Sequence, residues 1–479
     1  MQCGRTRLHK HEPGREFEMA GNGENRAATL QSLMDAAGGS VELLRSAPLG
    51  RYVFPKIPPE FTNFRDEMRA WKQGVAMLEQ SYHMCELHLR GPQVIDLLSE
   101  LSVNKLATFP TMRAKQLVMC GHDGNYLADA IIFHEEDDFY RIVGAPFASD
   151  WVQYNAGLGK YDVEAMIDLP LSVRDGDRDI YRLQVQGKHA LALMEKLTNN
   201  NVPEIKFFHI GEMTIAGRKV RALRHGMAGE PGFELYGPWE DQNVIRGAIM
   251  EAGAEFGIRK AGADAYSVTG IESGWMPMPL PAIYHSEEMR PYREWLTTNH
   301  LETIGSLGGS FVSTDIRDYY VDPIEVGYGN VVDWSRDFIG REGLEAKRDN
   351  KRRVKRSLLW NEDDVMDIIR SSMFAPEGEG GKYMNIPSPM HATFEADCVM
   401  SGGELAGLSN WSGYSPNAGG FLSLALVDID SAEPGTEVTL LWGEPDSLRP
   451  SIEKHKLREI RATVAPAPYF EKVIKSGQQ

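Results

Sequence analysis

Two segments of this chain run through the same local pattern. Residues 85–91, CELHLRG, alternate apolar and polar side chains with the period of two that puts neighbours on opposite faces of a strand. The next stretch, GPQVIDLLSEL, switches to the i, i+3, i+4 apolar spacing of a helix. About a hundred residues later YRLQVQG, residues 181–187, repeats the strand and KHALALMEKL repeats the helix. A chain that changes period in this way is neither all-α nor all-β, and the pattern predicts an α+β core with an internal echo. Between the two units, LVMCGHDGNYLADAIIFHEEDDFYRIVG reads as two or three strands, turned at Asp123-Gly124-Asn125 and at the acidic residues 135–138. The acidic cluster beside His134 is expected to be a solvated hairpin tip, because a flexible turn with no second histidine nearby is a poor metal site.

The 479 residues correspond to about three domains. Residues 1–26 are polar and without apolar periodicity, and are expected to be a disordered leader. Helix is expected over residues 29–45, ending before the Pro-rich turn Phe54-Pro55-Lys56-Ile57-Pro58-Pro59. The basic stretch AKRDNKRRVKR reads as an exposed linker or domain edge. Beyond it, GGELAGLSNW, GGFLSLALVDID, PGTEVTLLW and LREIRATVAPAP are strand-rich without a long helix, predicting a small barrel or sandwich. Acidic residues outnumber basic ones, 68 to 51, for a net charge of −17. That field disfavours nucleic acid and acidic membrane as partners, while leaving room for a local cationic site. The four cysteines, at positions 3, 85, 120 and 398, lack C-x-x-C spacing and fit a reducing cytoplasm. No run of 18 apolar residues occurs and the first residues lack the apolar core of a secretory signal, so neither a membrane span nor a secretory leader is expected.

The familiar nucleotide and metal signatures are missing: no G-x-G-x-x-G opening an N-terminal strand and helix, no GxxxxGK[ST], no H-E-x-x-H and no G-x-S-x-G. Residues 305–310, GSLGGS, lack a phosphate-loop lysine and read as a flexible loop. Nicotinamide, flavin and metal are therefore not expected. The informative segment is RHGMAGEPGFEL, residues 224–235, whose glycines and proline force a compact turn that ends on Glu234. A carboxylate held rigidly on a pocket floor suits the paired N–H groups of an aminopyrimidine; the bland alternative is a hairpin loop with a surface glutamate.

This segment resembles R-x-G-Y-T-G-E-x-G-F-E of the glycine cleavage T-protein (aminomethyltransferase) family, in which the final glutamate binds the pterin of tetrahydrofolate. Further motifs follow in the family's order. Residues 79–84, EQSYHM, echo D-x-S-H-M; LQVQG echoes L-x-x-Q-G; residues 262–274 echo G-x-R-D-x-L-R-x-E-x-G. Residues 325–329, EVGYG, precede DFIGRE at 337–342, and WSGYSP and PGTEV match the C-terminal barrel. The resemblance covers residues 50–470. It implies a three-domain T-protein architecture: an α+β domain over residues 27–180 plus 262–346, a second, ferredoxin-like one over 181–261, and a barrel over 352–479.

The departures from that pattern are as informative. Where T-proteins carry two adjacent acids, GNYLAD leaves only Asp129; their A-R-D arginine is replaced by Tyr266 and a second arginine by Gly270. With RHGMAG, SGWMPMPLPAIY and GGSFVSTDIRDYYVDP, the chain is similar to the tetrahydrofolate-dependent aryl methyl ether O-demethylase branch, which includes vanillate, 3-O-methylgallate, syringate and dicamba demethylases. The resemblance implies methyl transfer from a methoxylated aromatic acid to N5 of tetrahydrofolate. Glu234 and Gln184 would bind the pterin, with Val143, Phe207 and Trp275 around it; Phe54, Gln80, His83 and Tyr266 would surround the arene. The leaving phenoxide has a pKa of about 10, so a donor of matched pKa is needed. Tyr266 is the expected donor, His83 the second acid or orienter, and Asp129 the group that positions N5 or accepts its proton. Tyr82 and His83 are expected at a strand end, pointing to opposite sides. Ala145 stands where vanillate-type members carry a G-R-A-P arginine, so the substrate carboxylate must be held otherwise, or be absent. The alternatives are an aminomethyl or amine-demethylating transferase and a non-catalytic folate-binding protein.

Overall fold

Both strand–helix pairs form, and they do so in different sheets. The computed structural model describes residues 27–170 and 176–470; the expected leader over residues 1–26 lies outside the described residues. In chain order the first strands are β1 (Ala76–Glu79), β2 (Cys85–Arg90), β3 (Arg113–Cys120), β4 (Tyr126–Glu136), β5 (Phe139–Gly144) and β6 (Glu164–Asp168). Then come β7 (Ile180–Gln186), β8 (Ile210–Ile215), β9 (Arg218–Arg224), β10 (Gly232–Pro238) and β11 (Arg259–Ala261). One sheet is ordered β3-β4-β5-β2-β6 and the other β11-β1-β7-β10-β9-β8. β2 feeds the helix Val94–Leu101 and β7 the helix Ala190–Leu197. The joining glycines adopt matching left-handed conformations, Gly91 at φ +129° and Gly187 at φ +132°. A Cβ there would lie 2.4 Å from the Asp162 carbonyl oxygen or 2.6 Å from that of Gly74, so the repeated turn is a backbone requirement.

Alternation decides what each sheet faces. On β7, Tyr181, Leu183 and Val185 enter a core with the helices Ala190–Leu197 and Gln242–Gly253, which turns Arg182, Gln184 and Gln186 the other way. On β4, Ala128, Ala130 and Ile132 pack beneath the helices Val94–Leu101 and Pro146–Gly157, turning Asp129, Ile131 and Phe133 away from them. The two remaining faces meet: Phe133 and Val143 from the first sheet pack against Leu223 and Tyr236 from the second. Backbone bonds from Ala114 N to Phe208 O and from Ile210 N to Met112 O, each 2.9 Å, join the sheets at their edges.

The last strands are β12 (Leu307–Gly308), β13 (Arg353–Trp360), β14 (Phe394–Glu395), β15 (Asp397–Ser401), β16 (Glu404–Ser415), β17 (Gly420–Asp428), β18 (Glu437–Trp442) and β19 (Arg458–Ala465). β12 pairs with β14, and the other six close the expected barrel in the order β13-β17-β16-β15-β18-β19. The fold is thus α+β with a C-terminal barrel.

Several local expectations are corrected. β1 belongs to the six-stranded sheet, between β11 and β7, although it lies within the segment assigned to the first domain; pairing partners are long-range and strand patterns do not name them. The basic stretch is the end of the helix Arg341–Asp349 and the start of β13, where Arg353 pairs with Glu325 at 2.8 Å. The barrel region holds a 13-residue helix, Glu362–Phe374, capped by Asn361; it buries only Val365 and Ile368, too thin an apolar stripe to read. Glu135 is buried rather than solvated, and residues 305–310 contain β12. Residues 81–83 form a turn rather than a strand end, with His83 buried and Tyr82 edge-on to Trp239 at 6.4 Å.

Gly187→Ala is expected to lower stability by at least about 1–3 kcal/mol, from its backbone conformation alone. Gly247→Ala, in a helix with open space at its Cβ, should raise it by about 0.5–1 kcal/mol. Urea unfolding of both variants checks the pair.

Candidate active site

Charged side chains fill one end of the space between the two sheets. Arg182, on β7, donates to Glu86 of β2 at 3.1 Å and to Glu234 of β10. Glu86 also accepts from Arg141 at 2.8 Å, Arg141 donates to Glu135 at 3.0 Å, and Glu135 takes Arg221 at 2.6 Å. The result is a chain of alternating charge that crosses from sheet to sheet. Burial alone would raise the Glu86 pKa; Arg182, Arg141 and Arg178 overcome it and hold the carboxyl well below the usual range. Arg178 is tied to Asp168 at 3.0 Å and to the carbonyls of Ser81 and Met84, fixing the turn that carries His83.

The loop between β9 and β10 arches over the sheet next to this chain. Gln184 donates to the His225 carbonyl at 2.9 Å, and Gln186 accepts from the Met227 amide at 2.6 Å. The turn is so tight that a Cβ on Gly226 would lie 1.8 Å from the Glu230 carbonyl oxygen. Lys72 anchors the loop from outside through Glu230 at 2.7 Å. Met227 points inward, its sulfur 3.3 Å from Gln80 Nε2 and 3.9 Å from the Tyr266 hydroxyl.

Phe54, His83 and Tyr266 form an aromatic box. The ring centroids are 4.8 Å apart for Phe54–His83, 4.6 Å for Phe54–Tyr266 and 4.8 Å for His83–Tyr266. Burial, with Arg178 adding to it, pushes the His83 pKa down to about 3, so the imidazole is neutral at physiological pH. Burial likewise drives the Tyr266 pKa upward, so its hydroxyl keeps its proton. The structure therefore brings Phe54, Gln80, His83 and Tyr266 together.

Asp129 anchors a second cluster. Its carboxylate accepts from Gln116 at 2.7 Å, Tyr126 at 2.7 Å, Trp275 at 3.0 Å and the Tyr328 hydroxyl. Trp275 is 40 % exposed and so can cover a ligand, as can Phe207 at the rim, also 40 % exposed. Val143 lies in the apolar contact between the sheets. Ala145 is the N-cap of the helix Pro146–Gly157 and makes no side-chain cap bond.

Of the buried polar atoms without a protein partner among the described residues, which also occur elsewhere in the molecule, seven lie where these elements meet: Gln80 Oε1, both His83 ring nitrogens, Arg182 Nη2, Gln184 Oε1, Gln186 Nε2 and His225 Nδ1. Protein interiors rarely leave such atoms unpaired. Donors and acceptors alternate here beside aromatic walls, which fits a flat heteroaromatic with an amide edge next to an aromatic ether. Sequence reasoning missed Met227, Arg182, Gln186 and Tyr328 as parts of this arrangement. The period of two in YRLQVQG puts Arg182 and Gln186 on the same face as the expected Gln184 and could have flagged both. Among the described residues, no cluster of three or more His, Cys, Asp or Glu side chains is arranged to hold a metal ion.

Residues 48–279 match the GCVT N-terminal domain family. The chain is similar to a syringate O-demethylase of Sphingobium sp. SYK-6, 39 % identical over 446 residues that cover 92 % of this chain and 96 % of the relative. It is also similar to a sesamin methylene transferase of Sinomonas sp. No.22, 28 % identical with 87 % and 91 % covered. An aminomethyltransferase of Bacillus subtilis is 25 % identical over 87 % of this chain and 93 % of its own length. The crystal structure of the glycine cleavage system aminomethyltransferase T from Bartonella henselae superposes with a TM-score of 0.59 at 14 % identity, covering 89 % and 95 % of the two chains.

The depressed His83 pKa makes a stability prediction. Between about pH 6.5 and the folded value of about 3, the unfolded chain binds a proton that the folded chain does not. Stability should therefore fall as pH falls through that window, by up to about 1.4 kcal/mol per pH unit from this residue. His83→Phe should lose less stability than the parent between pH 7 and pH 5 in urea unfolding; equal losses would refute the assignment.

Proposed function

Because the chain belongs to the glycine cleavage T-protein family, in company with syringate O-demethylase, we propose that it transfers a methyl group from a methoxylated aromatic acid to N5 of tetrahydrofolate. The products are a phenol and 5-methyltetrahydrofolate. The observation that carries this reading is the Tyr266 hydroxyl, buried against Phe54 and His83 with the Met227 thioether and the Gln80 amide beside it. It keeps its proton at neutral pH.

Tetrahydrofolate supplies the nucleophilic N5, and this chain's residues do the rest. Gln184 Oε1 and the Glu234 carboxylate lie opposite each other in register on β7 and β10 and suit the N–H edge of the pterin. Arg182 donates to Glu234 Oε1 and so fixes the orientation of the carboxylate that would accept those N–H groups. The aromatic box fits the arene, with Tyr266 donating to the ether oxygen as negative charge develops there. Its pKa is raised above that of an ordinary phenol, so Tyr266 shares its proton with the departing oxygen rather than giving it up. Gln80 and neutral His83 each offer unpartnered atoms that can orient the ether. Asp129, saturated by neutral donors, is suited to hold positive charge as N5 is alkylated.

The substrate class is a methoxybenzoate. Ala145 cannot make an arginine's bidentate contact, which favours syringate-like or ortho-chlorinated acids such as dicamba over vanillate. The reaction belongs to the catabolism of aromatic compounds, including those derived from lignin, in the reducing cytoplasm that supplies reduced folate.

Anaerobic incubation with tetrahydrofolate and a panel of methoxybenzoates should release a phenol and 5-methyltetrahydrofolate in equal amounts; a requirement for NADH and O₂ would sink the reading. Tyr266→Phe should lower kcat by about 100-fold or more with folate affinity kept, the scale of a lost hydrogen-bond donor to a developing oxyanion.

A further inference from the structure

The aromatic box and the pterin-facing residues all come from the two α+β sheets and their loops, yet one cation of the barrel points at the site. On β13, Val354, Leu358 and Trp360 turn into the barrel core, while Arg353, Lys355 and Ser357 turn outward toward the α+β domains. Arg353 is spoken for by Glu325 at 2.8 Å. Lys355 is not: its amine donates to the Val326 carbonyl at 2.6 Å and, among the described residues, has no carboxylate within ion-pair distance. The charged group that acts on it is Asp129, across the domain interface.

Val326 opens the turn Val326-Gly327-Tyr328. Gly327, at φ +102°, leaves the space that the amine uses, since a Cβ there would sit 3.2 Å from Nζ. Tyr328 then delivers its hydroxyl to Asp129. Lys355 thus holds the turn that positions Tyr328 and presents a positive charge to the same carboxylate, whose direct partners Gln116, Tyr126, Trp275 and Tyr328 are all neutral.

We propose that Lys355 is a positioning residue for methyl transfer: from the barrel it fixes the Tyr328–Asp129 contact and balances the charge of the carboxylate that faces N5. In the transfer the methyl–oxygen bond breaks, the methyl–N5 bond forms, N5 loses its proton and the phenoxide gains one. Asp129 must be ionised before N5 becomes cationic and must not cling to the proton afterwards. A nearby ammonium, held on the turn that carries Tyr328, supplies opposite charge to a carboxylate whose direct partners are neutral. Burial of the amine pushes its pKa down to about 8 against the opposing pull of Asp129, so the ammonium is lost just above neutral pH. The other titratable groups facing this cluster are Tyr126 and Tyr328, whose pKa values burial raises far above that range. The inference rests on the functional reading above.

The test is Lys355→Met beside Lys355→Arg in the full chain. An unpaired ammonium gains little by burial, so Lys355→Met should fold with an unchanged or higher Tm. Its kcat should fall at least 10-fold with KM for both substrates within about 2-fold. Lys355→Arg should restore kcat and carry the activity plateau to higher pH than the parent, whose kcat declines above about pH 8. A second measurement does not need turnover. In protein labelled with 5-fluorotryptophan, the Trp275 resonance, assigned with Trp275→Phe, should titrate near pH 8 and lose that titration in Lys355→Met. A folded Lys355→Met with parental kcat and an unchanged Trp275 titration overturns the proposal. If Lys355→Met does not fold, Lys355→Arg decides: an unmoved alkaline limb overturns the proposal. Absence of methyl transfer by the parent would instead strike the functional reading, and the fluorine titration would still judge Lys355.

Discussion

The apposition of two sheets through a buried chain of charge is the constraint on which the site depends. Glu234, Arg182, Glu86, Arg141, Glu135 and Arg221 alternate in sign and cross between the sheets twice, at Arg182–Glu86 and at Glu135–Arg221, and all but Arg221 are buried. Such a chain is tolerable only when complete, because deleting one member leaves an uncompensated charge in a medium that cannot solvate it. Apolar contacts such as Phe133 with Tyr236 would permit some sliding between the sheets. The ion pairs permit much less, since they fix which arginine faces which carboxylate. Their contribution here is registry more than net stability, and it is registry that puts Glu234 and Gln184 opposite the face bearing Asp129.

The other end of the space is governed by desolvation. Phe54, His83 and Tyr266 bury one another, and burial moves both titratable members toward their uncharged forms, a neutral imidazole and a protonated phenol. The site therefore separates its labour. Charge is kept to the Arg182 chain and to Asp129 with Lys355, while the groups nearest the proposed ether oxygen are neutral hydrogen-bonding partners. A displacement that expels a phenoxide is helped by fixed dipoles at the oxygen, which need not reorganise as the charge forms. A cationic histidine in the same box would also have to be held against its own desolvation.

The fold class was legible because periodicity reports burial. The strand–helix repeat predicted two related units, and both exist, down to the matching turns at Gly91 and Gly187. β1 was misplaced because its four residues are buried on both faces and their pattern says nothing about a partner far along the chain. The helix Glu362–Phe374 was missed because it buries only two apolar residues, and the buried Glu135 because its charge was read as solvated, whereas it is matched by Arg141 on the next strand and Arg221 from the other sheet. At the site, motif resemblance supplied Tyr266, His83, Gln80 and Phe54, which do lie together. Met227 and Tyr328 were opaque because their roles depend on loop geometry that no spacing encodes.

Methyl transfer between two stable molecules asks for both reactants to be held within about 3–3.5 Å in line, and for water to be kept out. The structure meets this demand by distributing the walls among elements far apart in sequence. β16 and β17 pack Trp411 and Leu422 against the cluster that contains Tyr266. After β19 the chain returns so that Pro468 lies against Gly274, where a Cβ would fall 2.8 Å from the Pro468 nitrogen. Gly274 is the neighbour of Trp275, whose indole reaches Asp129. The barrel thus sets the height of Trp275 through backbone contact and the electrostatics of Asp129 through Lys355. Its position relative to the two sheets is a catalytic variable, even though no barrel side chain belongs to the aromatic box or the pterin-facing pair.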